Sequence, residues 1–237
     1  MKQLLVALDV DTVAQARAMA DRLRGAVGGF KIGSRLFTSE GPAFVAELTS
    51  RGDRVFLDLK FHDIPHTVAG AITAATRLGV WMVNVHASGG SAMMRAARAA
   101  ADEEAARQSR PAPLVIAVTM LTSLDQTVLA EIGLTASVEA QVERLAALTE
   151  AAGLDGVVAS PQEIATIRKV CGPGFTIVTP GIRGAEDAKG DQSRTMSAAG
   201  ALAAGASYLV VGRPIIGAAD PRAAAERIAA ECRGLTP

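Results

Sequence analysis

Eight short apolar runs, spread along the chain and separated by amphipathic stretches, constrain its fold more than any other feature. They lie at 4–8, 29–32, 55–59, 81–85, 114–118, 156–158, 175–178 and 208–211. Each is nearly continuous in apolar residues, the pattern of a strand buried on both faces of a parallel sheet. The stretches between them read as helices. Asp11 is placed to cap a helix carrying Val13, Ala16, Met19, Ala20 and Leu23 on one face. Ser160-Pro161-Gln162-Glu163 has the form of a capping box with proline at the first helical position. Ile64-Pro65 and Asp220-Pro221 also read as helix starts. Strands alternating with helices give either a closed barrel or a doubly wound open sheet. The count of eight, and 237 residues against the roughly 250 of a typical barrel, favour the barrel. No G-x-G-x-x-G follows the first run, which lowers the dinucleotide-binding alternative. The expectation is one α/β domain, a single (β/α)8 TIM barrel, over residues 1–237.

Composition narrows the function classes. Hydrophobic residues at 49% supply a sizeable core, which aromatics at 3% leave to Ala, Val, Leu and Ile. A formal net charge of zero suggests neither nucleic acid nor a charged membrane surface as partner. The uncharged stretch 196–212 is slightly short for a membrane span and reads as a helix followed by a strand. The N-terminal run, broken by Asp9, does not read as a signal peptide. Two cysteines, Cys171 and Cys232, are too few for a disulfide scaffold and have no metal-ligand spacing, so a reducing cytoplasm is the plain reading.

In such a barrel the chemistry sits at the C-terminal ends of the strands. Polar groups gather there: Asp9 after the first run, Lys31 in the second, Asp58 and Lys60 at the end of the third, and Asn84 and His86 on the fourth. Thr119, Thr122 and Ser123 follow the fifth; Thr179, Pro180, Gly181 and Arg183 follow the seventh; Gly212 and Arg213 follow the eighth. Asp58 and Lys60, two apart on one strand, face the same way. Lys31, Asp58, Lys60 and Asp63 form a set of alternating sign, in which each charge favours the ionised form of its neighbours. The bland alternative is an ion-pair network that only closes the barrel mouth.

The loops after the seventh and eighth strands are where such barrels frequently bind phosphate. Here they carry Gly181, Arg183, Gln192, Gly212 and Arg213, glycines that let backbone N–H groups approach an anion and arginines that add a charged fork. Residues 180–193 read as a lid able to close on a phosphate, or else as an ordinary exposed loop. His62 and His66 read as solvent-facing or interface residues, His86 as a hydrogen-bonded core histidine, Gly89-Gly90 as a helix-entry turn and Trp81 as packing. No metal-ligating set stands out.

The run Asp58-Leu59-Lys60-Phe61-His62-Asp63-Ile64-Pro65-His66-Thr67 closely resembles the D-x-K-x-x-D-I-P-x-T signature of the orotidine 5′-phosphate decarboxylases. LLVALD at the start, FKIG around Lys31, NVHASGG around His86, VTMLTS before Asp125, TPGIR and VVGRPI extend the resemblance over essentially the whole chain. The D-x-K-x-x-D element is shared with other decarboxylases and aldolases of the same suprafamily; its combination with I-P-x-T, L-T-S and P-G-I-R is much more specific. The resemblance implies cofactor-free, metal-free decarboxylation of orotidine 5′-monophosphate to uridine 5′-monophosphate, the last step of de novo pyrimidine nucleotide synthesis. It implies that Lys60 donates the proton, that Asp58 sits beside the substrate carboxylate, and that Asp9 and Lys31 contact the ribose. It further implies a homodimer in which Asp63 and Thr67 reach the partner's site. Thr122 and Ser123 would hold the pyrimidine. Pro180 would line the pocket, and Arg183, Gln192, Gly212 and Arg213 would bind the 5′-phosphate. The alternatives are a Mg²⁺-dependent sugar-phosphate decarboxylase or aldolase of the same suprafamily, a non-catalytic phosphate-ligand barrel, and an interaction module, the last leaving the strand-end charges unexplained.

Overall fold

In the computed structural model, which describes residues 1–183 and 195–234, the eight runs become eight strands. They are β1 (Leu4–Ala7), β2 (Gly29–Gly33), β3 (Val55–Phe61), β4 (Met82–His86), β5 (Leu114–Val118), β6 (Gly156–Val158), β7 (Thr176–Thr179) and β8 (Tyr208–Val211). All pair in parallel and in sequence order, and β1 pairs with β8 to close the barrel. The barrel form of the expected α/β fold therefore holds. The sequence placed the bounds of β5, β6 and β8 as observed and missed other strand ends by one or two residues, because apolar Leu8, Trp81 and Phe175 lie outside their strands while Gly33, Lys60, His86 and Thr179 lie inside them.

Closure divides the apolar residues into two shells. Leu5 and Ala7 of β1, Phe56, Met82, Ile116, Val178 and Val210 fill the barrel interior. Trp81 and Tyr208, in edge-to-face contact at 5.0 Å, pack against the N-terminal end of this plug. The alternate residues Leu4, Val6 and Leu8 face outward and meet the helical layer, including Ala16, Ala20 and Leu23 of Val13–Leu23. Small residues on the helices let them lie close to the strands, which is how a core with few aromatics is filled.

The helix starts follow local capping chemistry. Ser160 accepts from the Gln162 N–H while Glu163 reaches back to the Ser160 N–H, and Asp220 caps Pro221–Glu231. Pro65 opens Pro65–Arg77, and the stretch 196–212 divides into Ala198–Ala203 and β8. The first helix differs from expectation: its cap is Thr12, not Asp11. The Thr12 hydroxyl accepts from the Gln15 N–H at 3.3 Å, and the Gln15 side chain accepts from the Thr12 N–H at 3.2 Å. Asp11 instead pairs with Arg35. Among the described residues no helix is long and apolar enough to cross a membrane.

Candidate active site

Parallel closure brings the C-terminal ends of all eight strands to one rim, where a cavity of about 640 Å³ opens. Of the expected residues, Asp9, Lys31, Asp58, Lys60, Thr122, Pro180, Arg183, Gly212 and Arg213 line it. Ser123, Asp63 and Thr67 do not line it, and Asp63 and Thr67 are exposed. Gln192, and the greater part of the expected lid, lie outside the described residues.

The charges form a chain of alternating sign across three strands. Lys31 Nζ lies 3.4 Å from Asp9 Oδ1 and 3.3 Å from Asp58 Oδ2; Lys60 Nζ lies 2.7 Å from Asp58 Oδ1. The order is Asp9–Lys31–Asp58–Lys60. Asp63, expected from sequence at the far end of this set, turns back on its own backbone and accepts from the Ile64 N–H at 2.6 Å. Asp9 takes the other terminal place because β1 pairs with β2, Ala7 opposite Lys31, which brings the residues just after β1 beside the Lys31 side chain. Gly33 leaves room for the network: a Cβ there would stand 3.0 Å from Lys31 Nζ.

Burial sorts the members. The Lys31 and Asp58 side chains retain 10% and 13% of their exposure, the Lys60 side chain 35%, so Lys60 is the more exposed of the two ammonium groups lining the cavity. Burial by itself pushes the Asp58 carboxyl up, but Lys31, Lys60 and the hydrogen bonds from Lys60 and Asn84 outweigh it and hold it below its ordinary value. Asp58 therefore stays a carboxylate in a largely dry position.

The backbone at this point is unusual. Lys60 has φ +54°, one of two non-glycine residues among those described with positive φ. That left-handed conformation costs a side-chain-bearing residue on the order of 1–2 kcal/mol. The β3–β4 ladder is interrupted here: Leu57 pairs with Val83 and Phe61 with Val85, so β3 spans four positions where β4 spans two. Asn84 fills the gap. Its carbonyl accepts from the Lys60 N–H at 2.8 Å and its amide donates to Asp58 Oδ1 at 2.8 Å. The sequence showed Asn84 as a polar residue inside an apolar run but gave it no role. Only the pairing of β3 with β4 sets it between Asp58 and Lys60.

Beside Asn84 on the same strand, His86 is half-buried, with its ring 5.4 Å from that of exposed His62. Burial, then His62 and Lys60, press its pKa below the ordinary value, with Asp58 pulling the other way. Across the cavity, Pro180, Gly181 and Arg183 follow β7, and Gly212 and Arg213 follow β8. The Arg183 N–H donates to the Met196 carbonyl at 3.0 Å, which fixes the backbone of that wall. The rim thus presents glycines and two arginines on one side and the carboxylate–ammonium chain on the other. Arg35, also at the cavity, was not anticipated. Among the described residues no three His, Cys, Asp or Glu side chains cluster as a metal-holding set.

The model of the "Orotidine 5'-phosphate decarboxylase / HUMPS family" matches residues 2–228. An orotidine 5'-phosphate decarboxylase of Moorella thermoacetica is 59% identical over 230 residues, covering 97% of this chain and 91% of the relative. Another, of Alkalilimnicola ehrlichii, is 53% identical over 229 residues, covering 97% and 95%. The crystal structure of orotidine 5'-phosphate decarboxylase from Lactobacillus acidophilus superposes with a TM-score of 0.86 at 36% identity, over 99% of this chain and 100% of that one. The chain belongs to the orotidine 5'-phosphate decarboxylase / HUMPS family.

Proposed function

We propose that the protein decarboxylates orotidine 5′-monophosphate to uridine 5′-monophosphate without a cofactor. The observation that carries this reading is the chain Asp9–Lys31–Asp58–Lys60, which holds one ammonium in a cavity against a buried carboxylate. The relatives' names favour this reaction over a sugar-phosphate enzyme of the same suprafamily.

The chemistry asks for such a site. Breaking the bond from the ring carbon to its carboxylate releases CO₂ and leaves the electron pair on a carbon with little resonance relief. A fixed ammonium beside that carbon stabilises the developing anion, and more strongly where water is excluded. Lys60 then gives its proton to the carbon and is reprotonated from solvent, so the sum is substrate plus one proton to product plus CO₂. Asp58 keeps Lys60 aimed and stands where the departing carboxylate lies. Its repulsion of that carboxylate is a smaller contribution than the ammonium's.

In this reading Asp9 and Lys31 bind the ribose, and Thr122 and Ser123 the pyrimidine. Arg183, Gly212 and Arg213 bind the 5′-phosphate beside Pro180, with Gln192 completing the group. Phosphate binding is remote from the reacting carbon and supports the rate by holding the ring in register. The whole chain, 1–237, acts as one catalytic domain, and two copies form a homodimer in which Asp63 and Thr67 serve the partner's site. Their exposure outside their own cavity, and that of neighbouring Ile64 at 66%, supports a contact there. Two free, buried cysteines, with Cys171 pushed up to about 11 by burial, suit a reducing cytoplasm.

The test is CO₂ release from orotidine 5′-monophosphate by the purified protein, with and without EDTA. Release insensitive to EDTA and lost by at least about 1000-fold in Lys60→Ala is expected. Release that needs Mg²⁺, or a Lys60→Ala protein within about tenfold of wild type, sinks the reading.

A further inference from the structure

Lys60 occupies a backbone conformation that its residue type disfavours, at an interruption of the β3–β4 ladder, and both features converge on one side chain. Asn84 is fully buried, with 0% exposure. It projects into the barrel with its register partner Ile116 of the interior plug. Its two polar atoms have different partners: the carbonyl takes the Lys60 N–H, and the NH₂ gives to Asp58 Oδ1, each at 2.8 Å. Asp58 Oδ1 also accepts from Lys60 Nζ at 2.7 Å. One amide therefore closes a ring through the Lys60 backbone, the Lys60 ammonium and the Asp58 carboxylate.

We propose, resting on the decarboxylase reading above, that Asn84 is a positioning residue: its amide locks Lys60 in the left-handed kink and holds Asp58 against it, so that the ammonium is aimed before substrate arrives. The chemistry of the position requires a side chain that both donates and accepts. A valine here, the type that flanks it on β4, would leave the Lys60 N–H inside an interrupted ladder without its partner, a costly omission for a part-buried donor. An aspartate here would keep the acceptor for the Lys60 N–H but set a second carboxylate against Asp58. An amide satisfies a backbone donor and a carboxylate at once, through two separate atoms. Preorganisation of this kind acts on the reacting geometry and leaves the remote phosphate and ribose contacts alone, so it belongs to kcat and not to KM.

Two variants separate this role from ordinary core packing. Asn84→Leu removes both hydrogen bonds at similar volume. Asn84→Asp is isosteric, keeps the acceptor and loses the donor. With wild-type turnover as reference, Asn84→Leu is expected to lose about 100-fold in kcat while KM changes less than about threefold, since a small misplacement of a reacting group costs that order. For Asn84→Asp, the new carboxylate adds a like charge beside Asp58, which is otherwise faced by Lys60 on its own strand, Lys31 from β2, His86 from β4 and, through Lys31, Asp9 after β1. The acid limb of its log kcat profile is expected to move up by about one pH unit.

A crystal structure of Asn84→Leu is expected to show Lys60 out of the left-handed region and its Nζ no longer on Asp58 Oδ1. Folded variants with kcat within about threefold of wild type, a loss confined to KM, or Lys60 unchanged at positive φ would each overturn the proposal. If Asn84→Leu fails to fold, the profile of Asn84→Asp decides alone, and superposition on wild type overturns it. Wild-type protein that releases no CO₂ defeats the decarboxylase reading instead, and the Lys60 geometry in Asn84→Leu still reports on Asn84.

Discussion

Burial alone would make Asp58 a poor carboxylate; two ammonium groups and an amide keep it ionised. This residue-scale balance has a consequence for stability. A carboxyl held below its ordinary value takes up a proton less readily in the folded chain than in the unfolded one. Its contribution is therefore present above the unfolded value of about 3.9 and is lost as pH falls through the folded value. Asp58→Asn removes that group from the titration. In urea unfolding across the acid range, wild type is expected to lose stability more steeply than Asp58→Asn below about pH 4. Parallel losses in the two proteins would show that Asp58 is not held down in the folded state. At neutral pH the same variant leaves Lys31 and Lys60 facing each other without their shared counter-charge, so its lower stability there is expected as well.

Among the elements, β3 carries the one register shift between the described strands, and β6 carries a glycine pressed against its neighbour. In β3 the period-two expectation that Asp58 and Lys60 share a face survives, although the ladder does not. The interruption adds two residues, an even number, so the in–out phase is kept: Leu57, Leu59 and Phe61 lie on the outward apolar cluster while Asp58 and Lys60 reach the cavity. In β6 the constraint is steric. A Cβ on Gly156 would stand 2.0 Å from the Thr176 carbonyl oxygen of β7, a backbone atom that cannot rotate aside. Gly156→Ala is expected to cost about 3 kcal/mol or more and to lower Tm by roughly 6–12 °C for a domain of this size. Turnover of the folded fraction is expected to persist, since Gly156 does not line the cavity. A Tm within about 2 °C of wild type would mean that β6 and β7 separate without penalty.

At the scale of the whole molecule, the strand ends of one barrel supply nine of the expected site residues, while Asp63 and Thr67 stand outside that cavity. If two chains share their sites, subunits inactivated at different places repair each other. In a hybrid of Lys60→Ala with Asp63→Ala, one site has both replacements and the other has neither. An exchanged equal mixture of the two inactive proteins is therefore expected to recover about a quarter of wild-type turnover, half of its dimers being hybrids with one intact site. Turnover no greater than the mean of the two parents would show that each chain works alone.

The sequence by itself determined the elements and the rim. Strand and helix periods, caps such as Ser160 and Asp220, and the apolar continuity of the eight runs are local properties, legible without neighbours. Parallel closure then makes the last residues of every strand meet, so polar residues at those ends could be read as one site before any contact was visible. What tertiary structure decided depends on which strands lie side by side and at what register. That placed Asp9 rather than Asp63 at the end of the charge chain, kept Thr122 at the cavity and Ser123 off it, made Gly33 the clearance for Lys31, and set Asn84 between Asp58 and Lys60. A chain records which residues are polar. Only the pairing of strands far apart in sequence brings a donor within 2.8 Å of its acceptor.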